Sequence, residues 1–198
     1  LGSPGEVRAR AAELGVDLQG VDILDVTDEA VREPLASACR LVFPEITQKG
    51  IDRRLRSPLE VSALLVAADG ADAMIAGIRH STEEVILAAM TYLGMQAGIT
   101  APSSMMLLRV PGYRGPEGEC VVFADCAVTV APDATELADI ACATAHTARV
   151  LLRWEPRVAM LSFSTRGSGD HESVDRVREA VRLARDRDPT LLIDGELQ

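Results

Sequence analysis

Apolar runs of strand length alternate along the chain with longer segments that have helical periodicity. The strand-like runs occupy residues 21–26, 71–77, 103–110, 120–126, 157–163 and 190–194. The helical segments occupy residues 4–14, 27–43, 59–68, 83–93, 133–152 and 173–188. This alternation predicts an α/β fold with mostly parallel sheets flanked by helices. The Gly- and Pro-rich segment between residues 110 and 120 predicts a hairpin, so part of the sheet structure is expected to be mixed.

Individual residues and local composition add detail to this pattern. Thr27 is the predicted N-cap of the second helix. The run at residues 71–77 is apolar apart from Asp72 and ends in glycine, which predicts a buried strand. Small residues cluster at 98–102, where a predicted helix gives way to a different set of strands. We therefore expect a boundary there between parts of two α/β domains, 1–100 and 101–198.

Composition and charge exclude several classes of protein. Of the 198 residues 47% are hydrophobic, so the chain can bury a core and is not disordered as a whole. The formal net charge is −10, and no cluster of Lys and Arg lies beside aromatic residues. A nucleic-acid partner is therefore excluded. The cysteines have no paired spacing and are expected to be reduced, partly buried thiols in a cytoplasmic protein: Cys39, Cys120, Cys126 and Cys142.

The ends of the chain and its apolar segments predict a soluble piece of a longer protein. No apolar segment reaches the roughly 18 residues that a membrane span needs, so no membrane association is expected. Leu1 replaces an initiator methionine, and no basic region precedes an apolar one. The last residues form an apolar strand without a closing helix. We therefore expect the sequence to be an excerpt.

The strongest chemical feature is the turn that follows the predicted strand 157–163. It combines hydroxyl, guanidinium and glycine residues: Ser164, Thr165, Arg166, Gly167 and Ser168. Ligands of open α/β sheets bind at the carboxyl ends of strands, and a Gly-rich turn before a helix offers backbone N–H donors to a phosphate. The alternative is an ordinary turn whose Ser and Gly residues serve only capping. The turn matches neither the P-loop nor the dinucleotide-binding pattern.

A second turn precedes the predicted helix at residue 83. Ser81 and Glu84 have the spacing of a capping box, which explains Ser81 or Thr82 as a helix cap. Capping explains Arg79 and His80 less easily. Beside a helix N-terminus, these two side chains could orient an anionic ligand or an acyl carbonyl.

Other candidate groups are more isolated along the chain. Asp125 follows an apolar strand and either orients a donor or caps a turn. Cys126 has no activating base nearby in sequence, which favours a buried structural thiol over a nucleophile. The histidines are widely separated, and no Cys or His pair has the spacing of metal ligands. No metal site is therefore expected.

Several motifs in a fixed order resemble a known family. They are the Gly-X-X-His-Ser turn at 77–81, the Phe-Ala-Asp-Cys strand end at 123–126, the Ser-X-Ser-Thr-Arg-Gly-Ser loop at 162–168 and the Asp-Gly-Glu-Leu-Gln segment at 194–198. Together they resemble the phosphate acetyltransferase and butyryltransferase family. The similarity is continuous from about Leu64 to Gln198.

The resemblance implies an enzyme that moves an acetyl or other short acyl group between acyl phosphate and coenzyme A. The reaction would take place in a cleft between two α/β domains, and the loop at 164–168 would line that cleft. Coenzyme A would be a substrate, and no cofactor, metal or covalent intermediate is implied. An aspartate base would deprotonate the thiol, while Arg and Ser donors hold the acyl phosphate. The family also implies a homodimer.

Two departures from the family weaken this expectation. The family's base aspartate and its Ser-Arg pair lie beyond Gln198, so the isolated chain is expected to be inactive. Leu87 and Ile46 stand where the family has anion-binding arginines, and their loss would weaken phosphate and coenzyme A binding. Four nearby arginines are candidates to compensate: Arg79, Arg53, Arg54 and Arg56.

Two classes of function follow from these observations. The first is the phosphate acyltransferase described above, which the intact loop at 164–168 favours. The second is a non-catalytic acyl-CoA-binding or oligomerising domain, like the related domain at the end of some malic enzymes. The missing arginines favour this second class, and resemblance in fold alone does not decide between them.

Overall fold

The structure is a computed structural model that describes every residue from Leu1 to Gln198. The chain divides into two compact units, Leu1–Gly94 and Met95–Gln198. The first unit contains only helices, and the second contains helices and two small sheets. No helix is long and apolar enough to cross a membrane.

The first unit is built from helices that begin at proline or at a short polar cap. Their bounds are α1 Pro4–Leu14, α2 Glu29–Val42, α3 Gln48–Arg54, α4 Pro58–Ala67 and α5 Thr82–Tyr92. The predicted cap at Thr27 is wrong by one residue. Asp28 caps α2 by accepting from the Ala30 N–H at 3.0 Å, whereas the Thr27 hydroxyl donates to Asp25 at 2.7 Å. The sequence did not predict α3.

The core of the first unit surrounds one half-buried polar network. Buried Leu, Ile, Val and Ala side chains of α2, α3 and α4 pack together with Tyr92 of α5. The Arg54 guanidinium lies 4.3 Å from the Phe43 ring centroid and donates to Glu60 at 2.7 Å. The Tyr92 hydroxyl donates to the same carboxylate at 2.7 Å. Because these groups form hydrogen bonds with each other, their partial burial leaves no charge unpaired in the core.

The strands predicted at residues 21–26 and 71–77 are wrong. Neither segment forms a strand, and the Ile75 side chain is fully exposed at 101%. A strand needs a neighbour to pair its backbone N–H and C=O groups, and the first unit has no other strand. Apolar composition alone therefore did not produce a buried strand here.

The second unit contains all the strands of the chain. Its elements are β1 Met105–Arg109, β2 Cys120–Ala124, α6 Ala134–Thr147, a π-helical turn Ala148–Leu152, β3 Arg157–Leu161, α7 Glu172–Arg187 and β4 Leu192–Leu197. β1 and β2 pair antiparallel, which confirms the predicted hairpin. β3 and β4 pair parallel, with α7 between them in sequence. The α/β class is confirmed, although the sheets are two separate pairs.

The parallel pair β3–β4 packs beneath α6 and α7. Small residues such as Ala141, Ala145 and Ala184 lie buried beside Ile193 of β4, so the helices approach the sheet closely. β4 begins two residues later than predicted and continues past Asp194 to Leu197. This extension places Glu196 within the strand, directly beside the turn that follows β3.

Candidate functional site

The turn after β3 is attached to β4 along its length. The Ser162 N–H donates to the Leu197 carbonyl at 2.7 Å, and the Arg166 N–H donates to the Glu196 carbonyl at 3.3 Å. The Gln198 N–H then donates to the Thr165 hydroxyl at 2.8 Å. The 194–198 segment is therefore the structural support of the turn, in addition to being a sequence motif.

Glu196 forms the buried centre of this support. Its side chain is 3% exposed and accepts from the Gly167 N–H at 2.6 Å and from the Ser164 hydroxyl at 3.1 Å. Arg178 of α7 donates to both carboxylate oxygens, at 2.8 and 3.0 Å. The Arg178 guanidinium, followed by the Gly167 N–H, holds the pKa of Glu196 far below its usual value. The turn thus surrounds a charged carboxylate of its own chain.

The backbone donors of the turn are used inside the protein. The Thr165 N–H donates to the Ser168 hydroxyl at 2.9 Å, and the Gly169 N–H donates to the buried Ser164 hydroxyl at 3.0 Å. The Ser168 N–H donates to the Thr165 carbonyl at 3.1 Å. The sequence interpretation assigned these N–H groups to a bound phosphate. In this structure those N–H groups bind oxygens of the turn itself, and the Gly167 N–H binds the Glu196 carboxylate.

The exposed rim of the turn carries three remaining donors. Thr165, Arg166 and Ser168 are exposed, and both hydroxyls that accept backbone N–H bonds still have an O–H to donate. Arg166 and Gly167 have φ of 47° and 85°, a left-handed turn that directs the guanidinium outward. The Arg166 side chain is 74% exposed and donates to Asp194 at 2.7 Å. Its other N–H groups can bind an anion.

Asp125 caps a turn of its own in the second unit. The carboxylate accepts from Ser104, from the Ala127 N–H at 3.0 Å and from the Thr129 N–H at 2.7 Å. Burial would raise the pKa of Asp125, but these hydrogen bonds outweigh it and hold the pKa well below its usual range.

All four cysteines are free, and Cys126 is exposed, so the predicted buried thiol is wrong at that position.

The turn before α5 belongs to the first unit and follows the capping-box prediction. The Glu84 N–H donates to the Ser81 hydroxyl at 3.2 Å, and the Ser81 N–H donates to the Glu84 carboxylate at 2.7 Å. Thr82 is the first residue of α5. His80 Nδ1 lies 3.8 Å from Glu84, while Arg79 is exposed and has no ion-pair partner. The capping prediction is therefore confirmed.

The other arginines considered for anion binding are in different environments. Arg54 is part of the core network of the first unit, whereas Arg53 and Arg56 are exposed. Leu87 is 63% exposed on α5, and Ile46 packs against the core.

An open cavity of about 610 Å³ lies in this unit and is lined by Val26, Thr27, Glu29, Arg32, Asp52, Leu55 and Arg56.

Sequence reasoning missed Glu196 and its partner Arg178. The available signal was the presence of two carboxylates, Asp194 and Glu196, two residues apart in an otherwise apolar segment. Arg178 was one of many charges on α7. No group of three or more His, Cys, Asp or Glu side chains is arranged to hold a metal ion.

Known proteins that are similar to this chain share one family. The family model described as phosphate acetyl/butaryl transferase matches residues 1–198. A phosphate acetyltransferase of Thermoanaerobacterium thermosaccharolyticum is 37% identical over 204 residues, which cover 100% of this chain and 60% of the relative. The Bacillus subtilis phosphate acetyltransferase is 34% identical, with 100% and 59% covered. The chain therefore spans about 60% of the length of these relatives.

Solved structures give the same result. A phosphotransacetylase from Streptococcus pyogenes has a TM-score of 0.81 and 36% identity, covering 100% of this chain and 59% of that one. The EutD phosphotransacetylase from Staphylococcus aureus has a TM-score of 0.83 and 29% identity, with the same coverage. The resemblance carried by the sequence motifs is thereby confirmed. This chain belongs to the phosphate acetyl/butaryl transferase family.

Proposed function

We propose that the protein containing this chain transfers an acetyl or other short acyl group between acyl phosphate and coenzyme A. The observation that carries the proposal is the exposed rim of Thr165, Arg166 and Ser168, supported from beneath by buried, fully bonded groups. A guanidinium with two hydroxyls suits the oxygens of a phosphoryl group. Family membership along the whole chain supports the same chemistry.

The proposed reaction is a direct attack on the acyl carbon. The thiolate of coenzyme A forms the new C–S bond, the C–O bond to phosphate breaks, and inorganic phosphate leaves with the bonding electrons. Arg166 stabilises the negative charge that the leaving phosphate gains. The thiol proton passes to a base that we assign to a part of the protein outside this chain, so the chain alone is expected to be inactive.

The remaining predicted residues have separate proposed roles. Arg79 and His80, which belong to the first unit, orient an anionic group of a substrate. Ser81 and Thr82 position those two side chains by starting α5. Asp125 is unsuited to act as a base at neutral pH because its lowered pKa leaves it a weak proton acceptor. We assign it to holding the backbone at 127–129.

The test is an assay of the full-length protein with acetyl phosphate and coenzyme A that follows thioester formation. Replacing Arg166 with Gln is expected to lower kcat/KM by about 10- to 100-fold, because a charged hydrogen bond is lost. Arg182→Gln is the matched control, since Arg182 is an exposed arginine of α7 that pairs only with Glu179 and Asp186. Arg79→Ala tests the second turn, and unchanged acyl transfer would remove Arg79 from the proposal.

A second candidate function is non-catalytic binding of acyl-CoA, with or without oligomerisation. The observation that favours it is Leu87, an exposed apolar residue where the resemblance implies an anion-binding arginine. Binding of coenzyme A by the full-length protein without thioester formation would select this candidate. Turnover that depends on Arg166 would exclude it.

A further inference from the structure

The second unit contains two buried carboxylates that are paired with arginines of α7. Asp139 is 1% exposed and accepts from Arg187 and from the Thr100 hydroxyl at 2.6 Å. Glu196 is 3% exposed and accepts from Arg178 at 2.8 Å. The two ion pairs resemble each other in burial and partner, but only Glu196 also contacts the turn after β3.

The contacts of Glu196 reach across this turn. One carboxylate oxygen accepts both from the Gly167 N–H at 2.6 Å and from the Ser164 hydroxyl at 3.1 Å. The Ser164 oxygen in turn accepts from the Gly169 N–H at 3.0 Å. A single carboxylate therefore orders both ends of the segment that carries Arg166. Without it, the Gly167 N–H would lose its partner at the left-handed position of the turn.

Charge explains why a carboxylate can occupy this place beneath an anion site. An unpaired carboxylate would repel an incoming phosphate. Arg178 bonds both oxygens of Glu196, which balances that charge, and the Arg166 side chain on the outer side is 74% exposed. Arg178 therefore offsets the charge of Glu196, although it also pairs with Asp175 at 3.1 Å. On the outer side two arginines, Arg166 and Arg185, share the single carboxylate of Asp194, which leaves a net positive charge there.

We propose that Glu196 is a positioning residue for anion binding. Its carboxylate holds the turn so that Thr165, Arg166 and Ser168 present their donors together to a phosphate group. The inference rests on the proposed function only for the identity of the ligand, the phosphoryl group of an acyl phosphate. Glu196 itself does not touch the substrate.

The test compares Glu196→Gln with Asp139→Asn in the full-length protein. Both replacements keep the size of the side chain and remove one buried charge beside an arginine, so Asp139→Asn reports the effect of lost stability alone. In Glu196→Gln the new NH₂ group faces a donor, either Arg178 or the Gly167 N–H. Three quantities are measured: the melting temperature, the Kd for inorganic phosphate and the hydrogen-exchange rate of the Gly167 amide.

The expected result separates the two variants. Glu196→Gln raises the Kd for phosphate about tenfold or more, since a small displacement of donors is costly. It also accelerates exchange at Gly167. Asp139→Asn lowers the melting temperature but keeps the Kd within about twofold of the wild type, because the partners of Asp139 do not contact the turn. In the acyl-transfer assay, Glu196→Gln raises KM for acetyl phosphate by a larger factor than it lowers kcat.

Specific outcomes overturn the inference. Equal increases in Kd for both variants would make Glu196 a merely structural residue, and a wild-type Kd in Glu196→Gln would exclude a positioning role. If Glu196→Gln fails to fold, the same comparison is made with Arg178→Lys, and Arg187→Lys is its control. Equal Kd values for phosphate in these two variants would also overturn the inference. Wild-type protein that binds phosphate without turnover contradicts the proposed catalysis and leaves this inference intact. Absence of phosphate binding contradicts both.

Discussion

The turn after β3 and the turn before α5 look alike in sequence but differ in structure. Each follows an apolar run, contains an arginine with hydroxyl residues and precedes a helix. The run before the first turn pairs with β4, whereas residues 71–77 pair with no strand. Most of them are exposed, and only Met74 packs against the core of the first unit. The first turn is then ordered by Glu196, while the second is ordered only where Ser81 and Glu84 cap α5.

The difference shows what makes a candidate anion site rigid. Apolar side chains favour a strand only if another strand completes its hydrogen bonds. A turn keeps a left-handed conformation, such as that of Arg166, only if surrounding contacts hold it. The 164–169 turn has both kinds of support, and the 79–82 turn has a helix cap alone. We therefore expect Arg166 to be better positioned than Arg79.

The largest expected effect comes from replacing an isoleucine of β4, the strand that pairs with β3, and comparing it with an isoleucine of the unpaired residues 71–77. Ile193 of β4 is 6% exposed, so Ile193→Ala should destabilise the chain by about 2–5 kcal/mol through lost burial and a cavity. Ile75→Ala is the matched variant and should stay within about 0.5 kcal/mol, because the side chain is already in solvent. Urea denaturation of the 198-residue chain measures both. Equal losses would mean that residues 71–77 are buried after all.

The next effect concerns the close approach of β3 and β4. A methyl group at Gly195 would lie 2.7 Å from Met160 Cβ and 2.9 Å from the Met160 carbonyl oxygen. Gly195→Ala should therefore cost about 1–3 kcal/mol by overpacking. Gly5→Ala in α1 is the control, because no atom lies within 4 Å of the added group. A neutral Gly195→Ala in thermal unfolding would show that the two strands can separate easily.

A smaller effect is expected at the cap of α5. Ser81→Ala removes the acceptor of the Glu84 N–H and should cost about 1 kcal/mol. Thr82→Ala serves as the control, since Thr82 is the first helical residue and does not supply the cap. Thermal unfolding of the chain gives the difference. If both variants have the same stability, the capping box does not order this turn.

The smallest effect is local and depends on pH. The pKa of Glu196 is lower in the folded protein than its ordinary value of 4.5, so its contribution is fully present above that value. The contribution is lost as the pH falls through the folded pKa. Protection of the Gly167 amide should therefore begin to decrease below about pH 4.5, where the opened state starts to take up a proton. Between pH 5 and 4 the decrease should stay below about 1 kcal/mol, because the carboxylate of the folded state is still ionised. Hydrogen exchange corrected for intrinsic rates measures it, with Glu196→Gln as the variant that should lack the pH dependence.

Helices were predicted more accurately than strands for a local reason. The start of α5 depends on Ser81 and Glu84, which are three residues apart, and the start of α6 depends on Asp133 and Glu136 in the same way. Such signals are complete within one turn of chain. The strand at 71–77 was predicted wrongly because its missing partner cannot be seen in the segment itself.

The candidate site was predicted only in part, because some of its contacts are local in sequence and others are not. Hydroxyl, guanidinium and glycine groups at 164–168 are adjacent in sequence, so the turn itself could be recognised. The partners of Glu196 are not adjacent: Arg178 is 18 residues away and Gly167 is 29 residues away. Nothing in the local pattern indicated that the backbone donors of the turn would already bind a carboxylate.

The sequence by itself determined the α/β class, the hairpin, most helices and the family of this chain. These features follow from local periodicity, caps and motif order, which do not depend on distant residues. The tertiary structure alone decided which apolar runs became strands and which donors of the 164–169 turn face solvent. Both outcomes depend on hydrogen-bond partners brought together by folding, and those partners are far apart in the chain.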